Sequence, residues 1–237
     1  MKSISAIIPA HNEEKYLADC IVSLLAHRTP NLFEIIVVDN ASTDATVKIA
    51  AGFEGVKVIS EPKKGLTHAR QRGLQEASGE LLAYIDADTR IHASWFHTIN
   101  KHFADHPSHA ALSGPYQYYD LPRWQRLLVN MYWRFAAPAS RMTGYMIVGG
   151  NFVARKDALL AIGGFDTTIA FFGEDTNIAR RLKKNGPVHF QRKFYIYSSG
   201  RRLAEEGMLK TAGTYVMNFL SEVFLHRPLT QQYTDIR

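Results

Sequence analysis

The sequence predicts an α/β fold in which a mainly parallel sheet is flanked by helices. Short apolar runs alternate with amphipathic helical patterns through residues 1–90, and this alternation is typical of βαβ units. The runs are continuously apolar, as in parallel strands that are buried on both faces. Of the 237 residues, 46% are hydrophobic, which is enough for one sizeable core.

Apolar spacing and capping residues place the elements of the first half. Leu17, Ile21 and Leu24 recur at helical spacing, and Ser42 to Asp44 offers a helix cap. Strands are predicted at residues 4–9, 33–38, 56–60 and 81–85, and helices at 13–27, 45–51 and 66–76.

The pattern is looser after Asp88, where helical and extended segments no longer alternate strictly. Residues 201–237 read as a basic, partly amphipathic tail that we expect to be helical. Helices are predicted at residues 93–106, 123–135, 156–162 and 174–184, and extended segments at 110–119, 147–154 and 189–197.

The charge balance favours an anionic partner. The formal net charge is +6, which suits a nucleotide, a lipid phosphate or a membrane surface. The basic residues are spread along the chain without a nucleic-acid-binding motif, so we expect no nucleic acid partner.

The sequence shows no sign of export or of a membrane span. The first apolar stretch stops at Pro9, too early for a signal-peptide core, and no window approaches the roughly 18 apolar residues of a spanning helix. Cys20 is the single cysteine, which excludes an intramolecular disulfide and fits a reducing compartment. We therefore expect a cytoplasmic protein, with peripheral contact to the cytoplasmic face of a membrane as an open alternative.

Two carboxylates follow the strand predicted at residues 81–85. Asp86 and Asp88 are two positions apart, so in extended chain they project from the same side. Open α/β sheets bind ligands at this carboxyl edge, and paired acidic oxygens suit Mg²⁺ or Mn²⁺, which bridge substrate phosphates. A solvated acidic turn is the alternative for such a pair taken alone.

Other polar segments are expected at the same edge. The strand at 33–38 runs into Asp39, and the first strand runs into Pro9, Ala10 and Glu13. Residues 63–73 supply lysine and arginine that can neutralise a pyrophosphate. A nucleotide diphosphate with a metal ion needs such a mixed-charge rim.

In their order and spacing, these motifs resemble the family 2 glycosyltransferases of the GT-A fold. The resemblance runs from about residue 3 to residue 200, and it implies a mainly parallel Rossmann-like sheet with a mixed acceptor-side half. The motifs are P-A-H-N-E-E, E-I-I-V-V-D-N-A-S-T-D-A-T, G-L-T-H-A-R-Q-R-G, L-A-Y-I-D-A-D-T, G-G-N-F-V-A-R, G-G-F-D and F-F-G-E-D-T-N.

The resemblance implies a role for each matching residue. Residues 1–90 would form the nucleotide-sugar-binding half, residues 91–200 the acceptor-binding and catalytic half, and residues 201–237 a helical tail of one compact domain. On the donor side, Pro9, Ala10 and Glu13 would lie along the nucleoside, Asp39 would bind the base, and Arg70 would sit near the base or pyrophosphate. Asp86 would contact the ribose or donor sugar, and Asp88 would bind the metal. On the acceptor side, Glu174 would contact the acceptor or orient its loop, and Asp175 would be the general base.

The implied activity is transfer of a single sugar, with inversion, from a nucleotide-diphosphate sugar to a hydroxyl acceptor. UDP is the family-weighted first choice of nucleotide, and the acceptor would be a glycan or lipid-linked, in cell-envelope or surface glycan synthesis. The sequence departs from the family at Gln71, where asparagine is frequent, and it lacks the Q-x-x-R-W motif of processive members. Arg201 and Arg202 either close over the pyrophosphate or belong to a solvated tail.

Three other interpretations remain open. A nucleotidyltransferase also pairs an α/β sheet with acidic metal ligands, but residues 9–13 lack its glycine-rich, lysine-bearing loop. A nucleotide-sugar or glycan-binding module without catalysis is the non-enzyme alternative, which the intact Asp86, Asp88 and Asp175 disfavour. A dinucleotide dehydrogenase is weaker, because no G-x-G-x-x-G follows the first strand.

Two local patterns suggest additional contacts. Trp124, Trp133 and neighbouring arginines could place the helix at 123–135 on a membrane, although a cover over the acceptor cleft is slightly favoured. Histidines cluster between residues 92 and 109, and surface positions on a helix are the better interpretation than a zinc site, because no H-E-x-x-H is present. His189 opens the last predicted strand and is a minor candidate for the cation shell.

Overall fold

The predicted α/β fold is confirmed by the computed structural model, which describes residues 1–169, 171–225 and 230. Most of the predicted strands and helices are present, several with the same ends. The strands are β1 Ile4–Ala10, β2 Leu32–Asp39, β3 Val56–Ser60, β4 Leu81–Ile85, β5 Thr89–Arg90, β6 Ala111–Ser113, β7 Tyr116–Tyr118, β8 Asn151–Arg155, β9 Val188–Phe190 and β10 Ile196–Ser198.

The helices alternate with strands in the first half and gather toward the C-terminal end. A short 3-10 turn at Lys183–Asn185 extends the seventh helix. The α-helices are α1 Leu17–Ala26, α2 Thr46–Ala51, α3 Leu66–Glu76, α4 Trp95–Asp105, α5 Arg123–Thr143, α6 Lys156–Ala161, α7 Glu174–Leu182, α8 Arg201–Glu205 and α9 Met208–Leu225.

The large sheet brings the polar strand ends of the first half to one edge. Within the described residues it has seven strands in the order β3-β2-β1-β4-β8-β6-β9. Strands β1 to β4 are parallel to one another, whereas β8 runs antiparallel to both β4 and β6. Because parallel strands end on the same side, the segments that follow β1, β2 and β4 meet there, as the sequence predicts.

Both faces of this sheet are covered, which explains the continuously apolar strands. Every residue of β1 and of β4 is buried, as expected for parallel strands between two helical layers. One core cluster packs Ile8 and Ile85 against Trp95 of α4. The other packs Ile7 and Tyr84 on the opposite face.

Two predicted extended segments are each divided between two sheets. Residues 110–119 form β6 and β7, and residues 189–197 form β9 and β10, so neither is the single strand that the sequence predicts. Within the described residues, β6 and β9 belong to the large sheet, whereas β7 and β10 join β5 in a three-stranded sheet. The chain crosses at Gly114, where a Cβ atom would lie 1.8 Å from the carbonyl oxygen of Phe194.

Three other predicted boundaries shift by four residues or more. Helix α1 begins at Leu17, not at residue 13. Helix α5 continues through Pro138 and ends at Gly144, which has a φ of 73°, whereas the sequence predicts its end at residue 135. Strand β8 begins at Asn151, not at residue 147, because the Asn151 amide donates to the carbonyl of Val148 in a turn. This turn places Gly149 and Gly150 under the acidic segment after β4.

The predicted halves share one sheet, and the tail folds onto them. Strand β4 of the first half pairs with β8 of the second over residues 81–85. Helices α8 and α9 confirm a helical tail as far as residue 225; apart from residue 230, the rest of the predicted tail lies outside the described residues. No helix in the described ranges is both long enough and apolar enough to cross a membrane.

Candidate active site

A cavity of about 460 Å³ opens at the carboxyl edge of the large sheet. The ends of β1 and β4 form its floor. The start of α7, one side of α5, the segment after β10 and α9 form its walls. Seven of the nine predicted site residues line it: Pro9, Glu13, Arg70, Asp86, Asp88, Glu174 and Asp175.

Asp86 is fixed by donors from two elements. Its Oδ1 accepts from Arg70 Nη2 at 3.3 Å and its Oδ2 from the Tyr116 hydroxyl at 2.9 Å. The Tyr116 oxygen itself accepts the amide of Gly150 at 2.8 Å. A Cβ on Gly150 would lie 2.0 Å from Asp86 Oδ2, so a side chain at position 150 would displace the carboxylate.

Arg201 spans the carboxylates on the two sides of the cavity floor. Its Nη2 lies 2.6 Å from Glu13 Oε1, and its Nε lies 3.2 Å from Asp88 Oδ2. The guanidinium also lies over the ring of Tyr16, 4.8 Å from its centroid. Arg201 therefore belongs to the site, and the interpretation of a solvated tail is wrong for it.

The side chain of Arg202 is also turned away from solvent, but it contacts different residues from those of Arg201. Its Nη1 pairs with Glu206 Oε1 at 2.7 Å, one turn along the chain. Its guanidinium lies 4.7 Å from the centroid of the Phe171 ring, next to the loop that leads into α7. Arg202 therefore packs α8 against the cavity wall.

The acidic floor suits a hard divalent cation. Glu13 and Asp88 both pair with the guanidinium of Arg201, so a positive charge is favoured between these two carboxylates. In the described part of the chain, no three His, Cys, Asp or Glu side chains converge to hold a metal ion. A cation bound at Asp88 would thus take most of its oxygens from phosphates and water, which is how Mg²⁺ is usually bound.

Arg70 is a buried link between the floor and α7. It is 1% exposed and lies 3.3 Å from Asp86 Oδ1 and 2.6 Å from Glu174 Oε2. Burial raises the pKa of Glu174 to about 7, although the charge of Arg70 opposes the rise. The role near the base or pyrophosphate stays a prediction, and the observed contacts show that Arg70 holds two acidic side chains in register.

Asp175 lies in the first turn of α7, on the wall of the cavity. Its Oδ1 accepts the amide of Thr176 at 2.7 Å. Burial raises the pKa of this carboxyl above its ordinary value, although that hydrogen bond and Arg70 oppose the rise. A carboxylate of increased basicity on the acceptor side is suited to take a proton, and this role stays a prediction.

Two predicted donor residues lie beside the cavity. Ala10 lines a shallow adjoining recess with His11 and Asn40. Asp39 is 7% exposed at the end of β2, where its Oδ1 accepts the Ser42 amide at 3.3 Å. A nucleoside that reached both would extend from the cavity along the ends of β1 and β2.

His189 lies away from the cavity, in contact with other histidines. Its ring centroid is 5.2 Å from that of His102 and 5.9 Å from that of His109. The interpretation of His189 as part of the cation shell is therefore wrong. His102 is 6% exposed, so the interpretation of surface histidines on a helix is wrong for that residue.

Sequence reasoning missed Tyr116 and Asn40. Tyr116 lies in a segment that reads as an ordinary extended run, and no motif marks it. Asn40 holds the predicted phosphate-side loop, because its Nδ2 donates to the carbonyls of Glu61 and Lys63 and its Oδ1 accepts the Gly65 amide. The sequence signal that could have identified Asn40 was its position directly after Asp39, at the end of a predicted strand.

The fold and the acidic floor together define an α/β protein of the GT-A class. The sequence profile of glycosyl transferase family 2 matches residues 5–163, and the chain belongs to this family. Two curated relatives are the glycosyltransferase GlyA of Streptococcus pneumoniae, 30% identical over 119 residues, and the poly(ribitol-phosphate) beta-N-acetylglucosaminyltransferase TarS of Staphylococcus aureus, 32% identical over 97 residues. These matches cover 48% and 38% of the chain but 17% of each relative.

Two solved structures show the same fold at low sequence identity. The mannosyltransferase PcManGT of Pyrobaculum calidifontis, in complex with GDP-Man and Mn²⁺, has a TM-score of 0.73 and 20% identity and aligns with 95% of this chain and 64% of its own. Glucosyl-3-phosphoglycerate synthase of Mycobacterium tuberculosis, in complex with Mn²⁺, UDP-glucose and phosphoglyceric acid, has a TM-score of 0.68 and 21% identity, covering 94% and 80%.

Proposed function

We propose that the chain is a metal-dependent glycosyltransferase that moves a single sugar, with inversion, from a nucleotide-diphosphate sugar to a hydroxyl acceptor. UDP is our first choice of nucleotide, and cell-envelope or surface glycan synthesis is the proposed setting. One observation carries the proposal. The same cavity is lined by Glu13 and Asp88, which hold the guanidinium of Arg201, and by Asp175, whose carboxyl has a raised pKa.

The relatives support the choice of donor and setting. PcManGT and glucosyl-3-phosphoglycerate synthase were solved with a nucleotide-diphosphate sugar and Mn²⁺. TarS is named for transfer of N-acetylglucosamine to poly(ribitol phosphate). We extend to this chain the class of donor and the divalent cation, Mn²⁺ or Mg²⁺.

The divalent cation would be held by Asp88 and would stabilise the negative charge that develops on the departing diphosphate. Asp86, held by Arg70 and Tyr116, would present its carboxylate to the ribose or donor sugar. Pro9, Ala10 and Asp39 would line the nucleoside along the strand ends.

Arg201 and an incoming cation would compete for Asp88. Because the guanidinium contacts Oδ2 of that carboxylate, a cation that took this oxygen would displace Arg201. The freed guanidinium would then lie beside a diphosphate, where a fork of N–H donors suits phosphate oxygens. Arg201 would thus exchange a carboxylate partner for the leaving group.

Asp175 would act as the general base on the acceptor side. It would take the proton of the acceptor hydroxyl as that oxygen bonds to the anomeric carbon. At the same time the bond from that carbon to the diphosphate oxygen breaks, and the nucleotide diphosphate leaves with the electron pair. Attack from the face opposite the leaving group inverts the anomeric centre.

The test is turnover of UDP-sugars and GDP-sugars with Mn²⁺ and a mixture of glycan and lipid-linked acceptors. We expect release of nucleotide diphosphate, which would exclude a binding module without catalysis. Release of pyrophosphate would indicate nucleotidyl transfer instead. Donor binding without any turnover across these acceptors would contradict the proposal.

Two variants separate the assigned roles of the two carboxylates. Asp88→Asn should abolish Mn²⁺-dependent binding of nucleotide diphosphate, because the charge that holds the cation is lost. Asp175→Asn should retain that binding and slow transfer by about 10²- to 10⁴-fold, the usual span for general-base loss. Calorimetric titration and initial rates measure both effects, and equal activity of Asp175→Asn would remove its role.

A further inference from the structure

Helix α5 carries an exposed apolar stripe along one side. We define the α5 stripe as Trp124, Leu127, Met131 and Phe135, whose exposed fractions are 59%, 61%, 45% and 72%. Spacings of three, four and seven residues place these side chains within one face of a helix. Large apolar side chains gathered in this way mark an interaction surface.

Positive charge lies along one edge of the α5 stripe. Arg123, Arg126 and Arg134 are exposed, and helical geometry places them together beside the stripe. The sequence of α5 contains no aspartate or glutamate. An apolar face bordered by arginines, with aromatic side chains in it, is typical of a helix that lies in the interface of an anionic bilayer.

The other edge of the α5 stripe leads into the active-site cavity. Leu128 and Tyr132 follow the stripe around α5 and line that cavity, together with Val129 and Trp133 on the far side of the helix. Tyr215 and Val216 of α9 line it as well, and each is 43% exposed. An apolar path therefore runs from the stripe to the wall that carries Asp175.

We propose that the α5 stripe docks the protein on an anionic lipid bilayer, and that the acceptor is lipid-anchored. This rests on the proposed function. The hydroxyl end of the acceptor would reach Asp175 while its apolar chain leaves between α5 and α9 into the bilayer. In this arrangement α5 would lie in the plane of the interface, with its apolar face buried by about 5–10 Å.

A bilayer explains the composition of this surface better than a protein partner does. Arginines on the polar side attract anionic headgroups. Tryptophan and tyrosine prefer the boundary between headgroups and acyl chains. The α5 of a second copy would offer these arginines no negative charge, because its sequence contains no aspartate or glutamate.

The experiment is flotation of the full chain with vesicles of phosphatidylcholine alone or of phosphatidylcholine with one quarter phosphatidylglycerol. We expect binding to the anionic vesicles that weakens severalfold as NaCl increases from about 0.05 to 0.5 M, because salt screens the arginines. Trp124→Ser, Leu127→Ser and Phe135→Ser combined should weaken binding at least tenfold.

A matched variant controls for the loss of apolar surface elsewhere. Val22, Phe33 and Leu160 are 51%, 64% and 56% exposed on other elements, and their combined change to serine should leave vesicle binding unchanged. Circular dichroism checks that both variants fold. Arg123→Glu with Arg126→Glu should abolish the preference for anionic vesicles.

Separate readouts distinguish failure of this inference from failure of the proposed function. The stripe variant should bind nucleotide diphosphate with Mn²⁺ as the unmodified protein does, and Asp88→Asn should still float with vesicles. Vesicle binding without any sugar transfer would contradict the proposed function and leave the membrane docking in place. Transfer to a soluble glycan without vesicle binding, equal binding by both serine variants, or self-association through the stripe in sedimentation would overturn the membrane proposal.

Discussion

Glu174 and Asp175 are neighbours in sequence but have different partners. Glu174 is 8% exposed and pairs with Arg70, whereas Asp175 accepts the amide of Thr176 at the start of α7. Arg70 pairs with both Glu174 and Asp86, so protonation of one carboxylate changes the strength of the ion pair between Arg70 and the other. Glu174 is thus linked to Asp86 through Arg70, and its predicted role toward the acceptor or its loop stays a prediction.

Glu174→Gln should make the affinity for nucleotide diphosphate less dependent on pH. The pKa of Glu174 is raised to about 7, so in the unmodified protein its ion pair with Arg70 weakens as the pH falls through 7. Glutamine is neutral at every pH, and we expect it to weaken binding about tenfold at pH 8, or about 1.4 kcal/mol, and little at pH 6. Calorimetry with Mn²⁺ at both pH values measures the difference.

Glu76→Gln is the control, because Glu76 forms ion pairs with Lys57 and Arg72 on the surface of α3. It should keep the pH dependence of the unmodified protein, which includes the titration of the ligand's own phosphate. If Glu174→Gln keeps it too, Glu174 does not act through Arg70.

At the scale of single residues, sequence reasoning found the acidic groups and missed their partners. Asp86 and Asp88 could be placed because a strand end fixes their direction. Tyr116 could not, since a tyrosine in an extended run has no signature of the carboxylate it will meet. Arg201 reaches Glu13 across 188 positions of sequence, a distance over which local patterns carry no information.

At the scale of elements, four histidines join the C-terminal end of α4 to β9. His102 Nε2 and His109 Nδ1 are 3.1 Å apart, and the rings of His106 and His189 lie 5.3 Å and 5.2 Å from the His102 ring. Burial, with a smaller contribution from the neighbouring histidines, lowers the pKa of His102 to about 3, and Asp105 opposes the shift. Asp105 is itself paired with Lys101 at 2.8 Å.

Acid should therefore destabilise the packing of α4 on β9. The unfolded chain protonates His102 near pH 6.5, whereas the folded state excludes that proton until about pH 3. The stability that neutral His102 contributes is complete above pH 6.5 and is lost as the pH falls toward 3, at up to about 1.4 kcal/mol per pH unit. Urea unfolding between pH 7 and pH 4.5 measures this slope.

His102→Gln should reduce the slope, and His97→Gln should not, because His97 is exposed on the same helix. The difference between the two variants therefore reports His102 together with its effect on the three histidines that it contacts. Identical slopes would show that the histidine contacts do not determine acid stability.

The ends of an element were predictable where the whole element belongs to one sheet or layer. They were not predictable where a segment passes from one sheet to another. The ends of β3, α3 and β4 agree with the sequence prediction because each of these elements stays within one sheet or one helical layer. Residues 110–119 and 189–197 have the composition of strands throughout, yet each crosses between sheets at a point set by contacts far along the chain. Pro138 is another case, since α5 continues beyond a residue that usually ends or kinks a helix.

At the scale of the whole molecule, the two predicted halves depend on each other. Strand β4 has β1 on one side and β8 on the other. The Trp95 indole donates to Asn151 Oδ1 at 3.1 Å, while Asn151 Nδ2 donates to the carbonyls of Gly114 and Phe194. One buried amide thus connects α4, β8 and both crossing points between the sheets.

We expect the two halves to unfold together and residues 1–90 not to fold alone. A fragment ending at residue 90 would expose the edge of β4 and lose Trp95, Phe96 and Phe152 from the two cores. In the full chain with Trp124→Phe and Trp133→Phe, Trp95 becomes the single tryptophan, buried where the halves meet. Its fluorescence and far-ultraviolet circular dichroism should then give one urea midpoint, as two-state unfolding requires. Two separate midpoints, or a cooperative transition in the fragment, would instead mean that the nucleotide-binding half is a unit with its own stability, to which the acceptor half is merely attached.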